Sequence, residues 1–298
     1  MSKIQDALQK LQRGESAAVQ PARPKRQGFP GEGGRTAVPV ARKKKVEIEG
    51  EKFHIDQHAL IKGGLLAPLD QAVPIADEFR KIKRPLLANA RQEFSDAAEH
   101  MNVIMLASAM PNAGKTFCSV NLAFSISLER ELNVVLIDAD VAKPHISRAF
   151  GLKDKPGLID LLVDDQIDLS ETLVRTDLNG VQVIPAGRGH AQATELLASD
   201  RMSEVVDEIS TRYADRIVIV DSPPLLVTSE AQALATQVGQ VVLVIEAGKT
   251  AHQTVQQVLE VLDHQKAINF ILNKSRRTAS PDYYYGASYG YTNENEES

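Results

Sequence analysis

Cysteine is nearly missing from this chain: Cys118 stands alone in 298 residues. One thiol excludes an intramolecular disulfide and fits a reducing cytosol. Long apolar runs are missing too. No stretch approaches the roughly 18 residues that span a bilayer, and the opening MSKIQDALQKLQRGESAA has no apolar signal core. The expectation is a cytoplasmic protein, peripheral to a membrane only if something else holds it there. The chain also lacks a strong charge of one sign. A net charge of −5 provides no electrostatic footprint for nucleic acid, and no nucleic-acid partner is expected. Aromatics are sparse at 5%, yet five of the six tyrosines crowd into YYYGASYGY, as Tyr283, Tyr284, Tyr285, Tyr289 and Tyr291. Average usage does not produce such a cluster.

What is present divides into four stretches. Residues 1–13 place Ile4, Ala7, Leu8 and Leu11 at helical spacing and predict a short amphipathic helix. Residues 14–71, rich in Pro, Gly, Lys and Arg, read as a linker with room for a short hairpin at VEIEGEKFHI. Within it, the basic run Arg42–Lys45 is either solvated or a weak contact for anionic lipid. From 72 to 275 the apolar runs VIMLAS, NVVLIDA, VQVIPA, RIVIVD, QVVLVIEA and NFILN alternate with amphipathic segments. Uniformly apolar strands separated by helices indicate an α/β fold, a doubly wound and mainly parallel sheet with helices on both faces. Residues 276–298, with Gly, Ser and Asn among the tyrosines, read as a flexible tail.

The strand VIMLAS runs into AMPNAGKTFCSVNLAF, a loop followed by a helix. In that setting the backbone amides of Pro111–Phe117, that is Asn112, Ala113, Gly114, Lys115, Thr116 and Phe117 after the imino residue Pro111, form a cradle for phosphate. Lys115 is placed to reach the β- and γ-phosphates and Thr116 to ligate Mg²⁺. The leading glycine of the usual pattern is Ala109 here. Asp138 and Asp140 follow the strand NVVLID, and Asp221 follows RIVIV. Acids at the C-terminal rim of a parallel sheet need a cation or a proton to offset them. Asp138 and Asp221 are therefore expected to support Mg²⁺ through its water shell.

With those motifs in order, the sequence resembles the bacterial tyrosine kinases, P-loop autokinases of polysaccharide export. More narrowly it is similar to the stand-alone autokinases of exopolysaccharide and exosortase-type loci. The resemblance spans about residues 72–291 and rests on ASAMPNAGKT, VVLIDADVAKP, IVIVDSPP, IPAGRGHAQATELLASDRM and the terminal tyrosines. It departs where Asn112 and Ala113 replace a glycine and an acid, and where Ala142, beside Lys143, replaces an arginine. It implies ATP and Mg²⁺ as cofactors, Lys115, Asp138 and Asp140 as catalytic residues, and the tail tyrosines as phosphoacceptors. It also implies a homo-oligomer or ring, and an inner-membrane polysaccharide co-polymerase as activator. The family's ring-forming pattern of one acid and two bases falls on either Asp77, Arg80 and Lys83 or Glu78, Lys81 and Arg84.

A tyrosine hydroxyl titrates near 10 and needs a carboxylate to take its proton. Asp138 is the first choice for that task and Asp140 the second. Two rivals share these motifs: an ATPase switch of the positioning and partitioning type, and an inactive scaffold. The switch would need a second lysine where Met110 stands. Asn273 is read either as a base contact or as a turn residue. Cys118 is read as core, and His145 and His190 as surface or packing residues.

Overall fold

All six apolar runs become strands, and their order places every acidic motif at one edge of one sheet. The computed structural model describes residues 51–68, 71–91, 100–129, 131–212, 216–262 and 267–275. The predicted N-terminal helix, the linker up to residue 50 and the tyrosine-rich tail lie outside the described residues. The strands are β1 (Val103–Ala107), β2 (Asn133–Asp138), β3 (Val174–Arg175), β4 (Val181–Ile184), β5 (Arg216–Asp221), β6 (Gln240–Glu246) and β7 (Ala267–Asn273). They form a 7-stranded sheet in the order β3-β4-β2-β5-β1-β6-β7, parallel except for the antiparallel β3–β4 pair. Two-residue β3 carries no periodicity that a sequence could show.

Each central strand is apolar throughout because both faces are covered. On β1, Val103, Met105 and Ala107 face one core layer, and Ile104 and Leu106 face the other. On the second side lie α1 (Gln57–Lys62), α2 (Ala72–Ala90) and α3 (Lys115–Ser127), through Leu60, Phe79, Leu86, Cys118, Leu122 and Ile126. The short helices α4 (His145–Ala149), α5 (Leu158–Val163) and α6 (Leu169–Thr172) follow β2, and none was visible as a periodic run. The segment ATELLASDRMSEVVDEIS, which reads as one helix, is broken into α7 (Ala193–Leu197) and α8 (Asp200–Arg212). Ser199 breaks it: its hydroxyl donates to Leu196 O at 2.7 Å and accepts from Met202 N at 3.4 Å. Helices α9 (Ser229–Gln237) and α10 (His252–Val261) complete the layers.

Residues 51–68, which composition assigns to the linker, are folded onto the domain. Asp56 caps α1 by accepting from the amides of His58 and Ala59. Ile55 and Leu60 are 1% and 0% exposed, as buried as any strand residue. Phe53 bridges to Thr176, donating from its amide to Arg175 O at 2.7 Å. Farther on, Leu65 O accepts from the Asn121 side-chain Nδ2 on α3 at 2.9 Å. Residues 46–50 of the expected hairpin lie outside the described residues, and 51–68 form a strap whose partners are 56 residues or more away in sequence.

Helix α2 distinguishes the two charge registers. Lys83 is buried, donates to Ser125 O at 2.5 Å and pairs with Glu129 at 2.7 Å. Asp77 pairs with Arg80 across one turn, so the register Asp77, Arg80, Lys83 has its last base committed inside the protomer. Glu78, Lys81 and Arg84 are exposed.

If the strap belongs to the domain, Leu60→Ala is expected to cost about 2–5 kcal/mol, read as a lower urea midpoint. A loosely attached linker would show a change within about 0.5 kcal/mol.

Candidate nucleotide site

The phosphate loop leaves β1 at Ser108 and enters α3 at Lys115. Its curvature comes from two left-handed residues, Asn112 at φ +66° and Gly114 at φ +96°. Left-handed residues alternating with ordinary ones turn successive amides to one side, forming an anion nest. Asparagine tolerates that conformation better than most side chains. At Gly114 the left-handed backbone disfavours any side chain, and a Cβ there would also lie 2.1 Å from the Asn273 side-chain nitrogen and displace it. The amides of Lys115, Thr116 and Phe117, in the first turn of α3, have no intrahelical acceptor and add the helix dipole.

Around this loop lies a cavity of about 880 Å³. Pro111, Asn112, Gly114, Lys115, Thr116, Phe117 and Asp140 line it. Of the other predicted site residues, Ala113 is buried behind the loop, and Asp138 and Asp221 lie beneath the cavity floor, 0% and 1% exposed. The tyrosines Tyr283 to Tyr291 are outside the described residues. The sequence reading missed wall residues at Gly63, Gly64, Leu65, Pro224 and Lys274. Only the Gly-Gly pair and the prolines after Asp221 could have hinted at them. His145, read as a surface or packing residue, is exposed on the cavity wall. The segment from Ile184 to Met202, one carrier of the resemblance, contributes nothing to the lining; its loop is tied through Arg188 to the buried Asp160 carboxylate.

Parallel pairing of β2 with β5 sets Asp138 directly beside Asp221. Asp221 accepts from the Thr116 hydroxyl at 2.7 Å and from the Ser119 hydroxyl at 2.9 Å. Asp138 accepts at Oδ2 from the Ser147 amide at 2.8 Å and from its hydroxyl at 2.7 Å. Asp138 Oδ1 is buried and has no hydrogen-bond partner. Burial, with Asp221 adding repulsion and Ser147 opposing, pushes the Asp138 carboxyl up to about 7. Burial raises Asp221 to about 6, against Thr116, Lys115 and Ser119. Asp140 is raised by burial and held back chiefly by Lys115. Lys115 is lowered by burial, with Asp221 and Asp140 working against the shift. Cys118, on the same helix, is buried as expected and pushed up to about 12, chiefly by burial, so its thiol is inert.

Two adjacent buried carboxylates, one with an orphaned oxygen, together with a threonine hydroxyl suit a divalent cation. Among the described residues no group of three or more His, Cys, Asp or Glu side chains forms a metal cage. That donor set fits Mg²⁺, which keeps several waters and takes its remaining ligands from phosphate oxygens.

A phosphate loop on the central strand, acids on the flanking strands and a cavity at their C-terminal ends define a P-loop nucleotide-binding domain. The family described as AAA domain matches residues 101–274. The chain belongs to the bacterial tyrosine kinases within this class. It is 31% identical to the tyrosine-protein kinase YwqD of Bacillus subtilis (strain 168) over 214 residues, covering 71% of this chain and 86% of that protein. EpsB of Ralstonia nicotianae is 30% identical over 190 residues, 63% of this chain, and the chain spans 25% of that relative's length. Among solved structures, the VpsO kinase domain superposes with a TM-score of 0.58 at 32% identity, covering 70% of this chain and all of that domain.

The raised carboxyls have a thermodynamic consequence. From about pH 4 to about 7 the folded protein keeps a proton on Asp138 that the unfolded chain has released. Its contribution to stability therefore falls as pH rises, by about 1.4 kcal/mol per pH unit across that window. In metal- and nucleotide-free protein, Asp138→Asn is expected to melt above wild type at pH 7.5, with the gap closing toward pH 4. Differential scanning fluorimetry across pH checks this, and a gap independent of pH contradicts it.

Proposed function

We propose that this chain is an ATP-dependent tyrosine kinase whose own C-terminal tyrosines are its acceptors. The observation that carries the reading is a phosphate loop with a carboxylate on the cavity wall, in a chain that also supplies five clustered tyrosine hydroxyls. Membership of the bacterial tyrosine kinases supports it. Phosphoryl transfer needs positioning and charge neutralisation more than covalent chemistry. The loop amides and Lys115 hold the β- and γ-phosphates, and Phe117 marks the turn of α3 where the α-phosphate would lie. Thr116 would hold Mg²⁺, with Asp138 and Asp221 ordering its waters, and the ion would supply positive charge to the transferred phosphoryl group.

The acceptor's proton goes to Asp140 in this mechanism. Asp138 was the first choice from sequence, but it lies under the floor with Ser147 on one oxygen. Asp140 lines the cavity, and its raised carboxyl is a better proton acceptor near neutrality than an ordinary aspartate. The tyrosine oxygen bonds to the γ-phosphorus as the bond to the β–γ bridging oxygen breaks, and ADP leaves.

Acceptors on a tail favour transfer between protomers of an oligomer, with the exposed Glu78, Lys81 and Arg84 on α2 as the charged contact. Each phosphorylation adds about −1.5 to −2 charges, so a modified tail is repelled from the acidic site and the oligomer loosens. Control of exopolysaccharide polymerisation and export, cytoplasmic residence at the inner membrane and activation by a polysaccharide co-polymerase belong to the same proposal. Among the described residues no helix is long and apolar enough to cross a membrane.

Mass spectrometry of the tail after incubation with ATP and Mg²⁺ tests the reading. Phosphate on Tyr283–Tyr291 is expected in wild type and absent in Lys115→Met. Asp140→Asn is expected to slow transfer about 10²- to 10⁴-fold with ADP affinity nearly kept. Phosphatase treatment should enlarge the assembly in light scattering; an unchanged size would remove the tail from control of assembly.

A further inference from the structure

The end of β7 is fastened to the phosphate loop by two side chains. The Asn273 amide nitrogen donates to Ala113 O at 2.8 Å, and the Lys274 ammonium donates to Asn112 O at 2.6 Å. Both donors are themselves held. Ala247 N donates to Asn273 O at 2.9 Å, and Glu246 on β6 lies 3.3 Å from Lys274. Lys274 sits at φ +58°, an uncommon conformation for lysine, where the chain bends out of β7.

In a trans peptide the carbonyl and the following N–H point in opposite directions. Fixing the carbonyls of Asn112 and Ala113 therefore fixes the directions of the amides of Ala113 and Gly114. Those amides belong to the nest that would receive phosphate. A loop of converging amides is unfavourable without an anion, and donors on the reverse side of the same peptides keep it formed. We infer that Asn273 and Lys274 are positioning residues that brace two peptide planes of the phosphate loop and so set its affinity for phosphate. The inference rests on the nucleotide-binding part of the proposed function. It differs from the other reading of Asn273, a contact to the nucleotide base, in what it predicts for a ligand without a base.

The test compares ADP with pyrophosphate, each with Mg²⁺, on full-length protein by calorimetry. Asn273→Ala and Lys274→Met are each expected to weaken both ligands about 10-fold, by equal factors. Lys274→Arg restores binding. Hydrogen exchange of the amides at 112–116 in ligand-free protein should quicken in both variants, while the melting temperature stays within a few degrees. Loss of ADP binding with pyrophosphate unchanged would show a base contact and overturn the brace. Wild-type loop exchange and affinity in both variants would do the same. If wild type binds neither ligand, the proposed function fails, and the ligand-free exchange comparison still decides the brace.

Discussion

The in-register pairing of β2 and β5 is the constraint on which the rest of this molecule depends. It forces Asp138 and Asp221 side by side at 0% and 1% exposure. Two ionised carboxylates cannot coexist there without compensation. The surrounding parts can be understood as that compensation: Thr116 and Ser119 donate to Asp221, Ser147 donates to Asp138, and the Lys115 ammonium at the helix start offsets the charge of Asp221. What the protein itself leaves unmet is one oxygen of Asp138. The site is thus built with a charge deficit that a cation would fill, and a cation there is what polyphosphate requires.

The phosphate loop has the opposite problem. Its amides converge and need negative charge, so its ligand-free form must be held by other groups. Strand β1 anchors one end, α3 the other, and the end of β7 holds the middle by its carbonyls. Glycine at 114 is demanded twice, by the left-handed backbone and by the closeness of Asn273. The loop thus opens on the cavity, and the paired carboxylates of Asp138 and Asp221 lie buried beneath it.

The strap at 51–68 extends this logic toward the N-terminus. It buries Ile55 and Leu60, crosses the edge of β3 and ends on the cavity wall at Gly63–Leu65, tied to α3 through Asn121. It was grouped with the linker because the residues before it are rich in Pro, Gly, Lys and Arg. Its partners, Arg175, Asp177 and Asn121, are distant in sequence, so no local window contains the signal.

Sequence alone determined six of the seven strands, the α/β class and the presence of a phosphate-loop motif. Runs such as VVLID and RIVIVD are apolar on both faces only if both are covered, and G-K-T between a strand and a helix has few other meanings. Family membership was legible for the same reason, because several short motifs occur in a set order. Tertiary structure decided which acid lies under the floor and which faces the cavity. Asp138 and Asp140 are two residues apart, and only where β2 ends relative to β5 separates their positions. It also decided that Lys83 is committed inside the protomer, and that Asn273 and Lys274 meet a loop about 160 residues earlier. Local pattern encodes which face of an element is buried; which distant group meets it is settled by packing the whole chain.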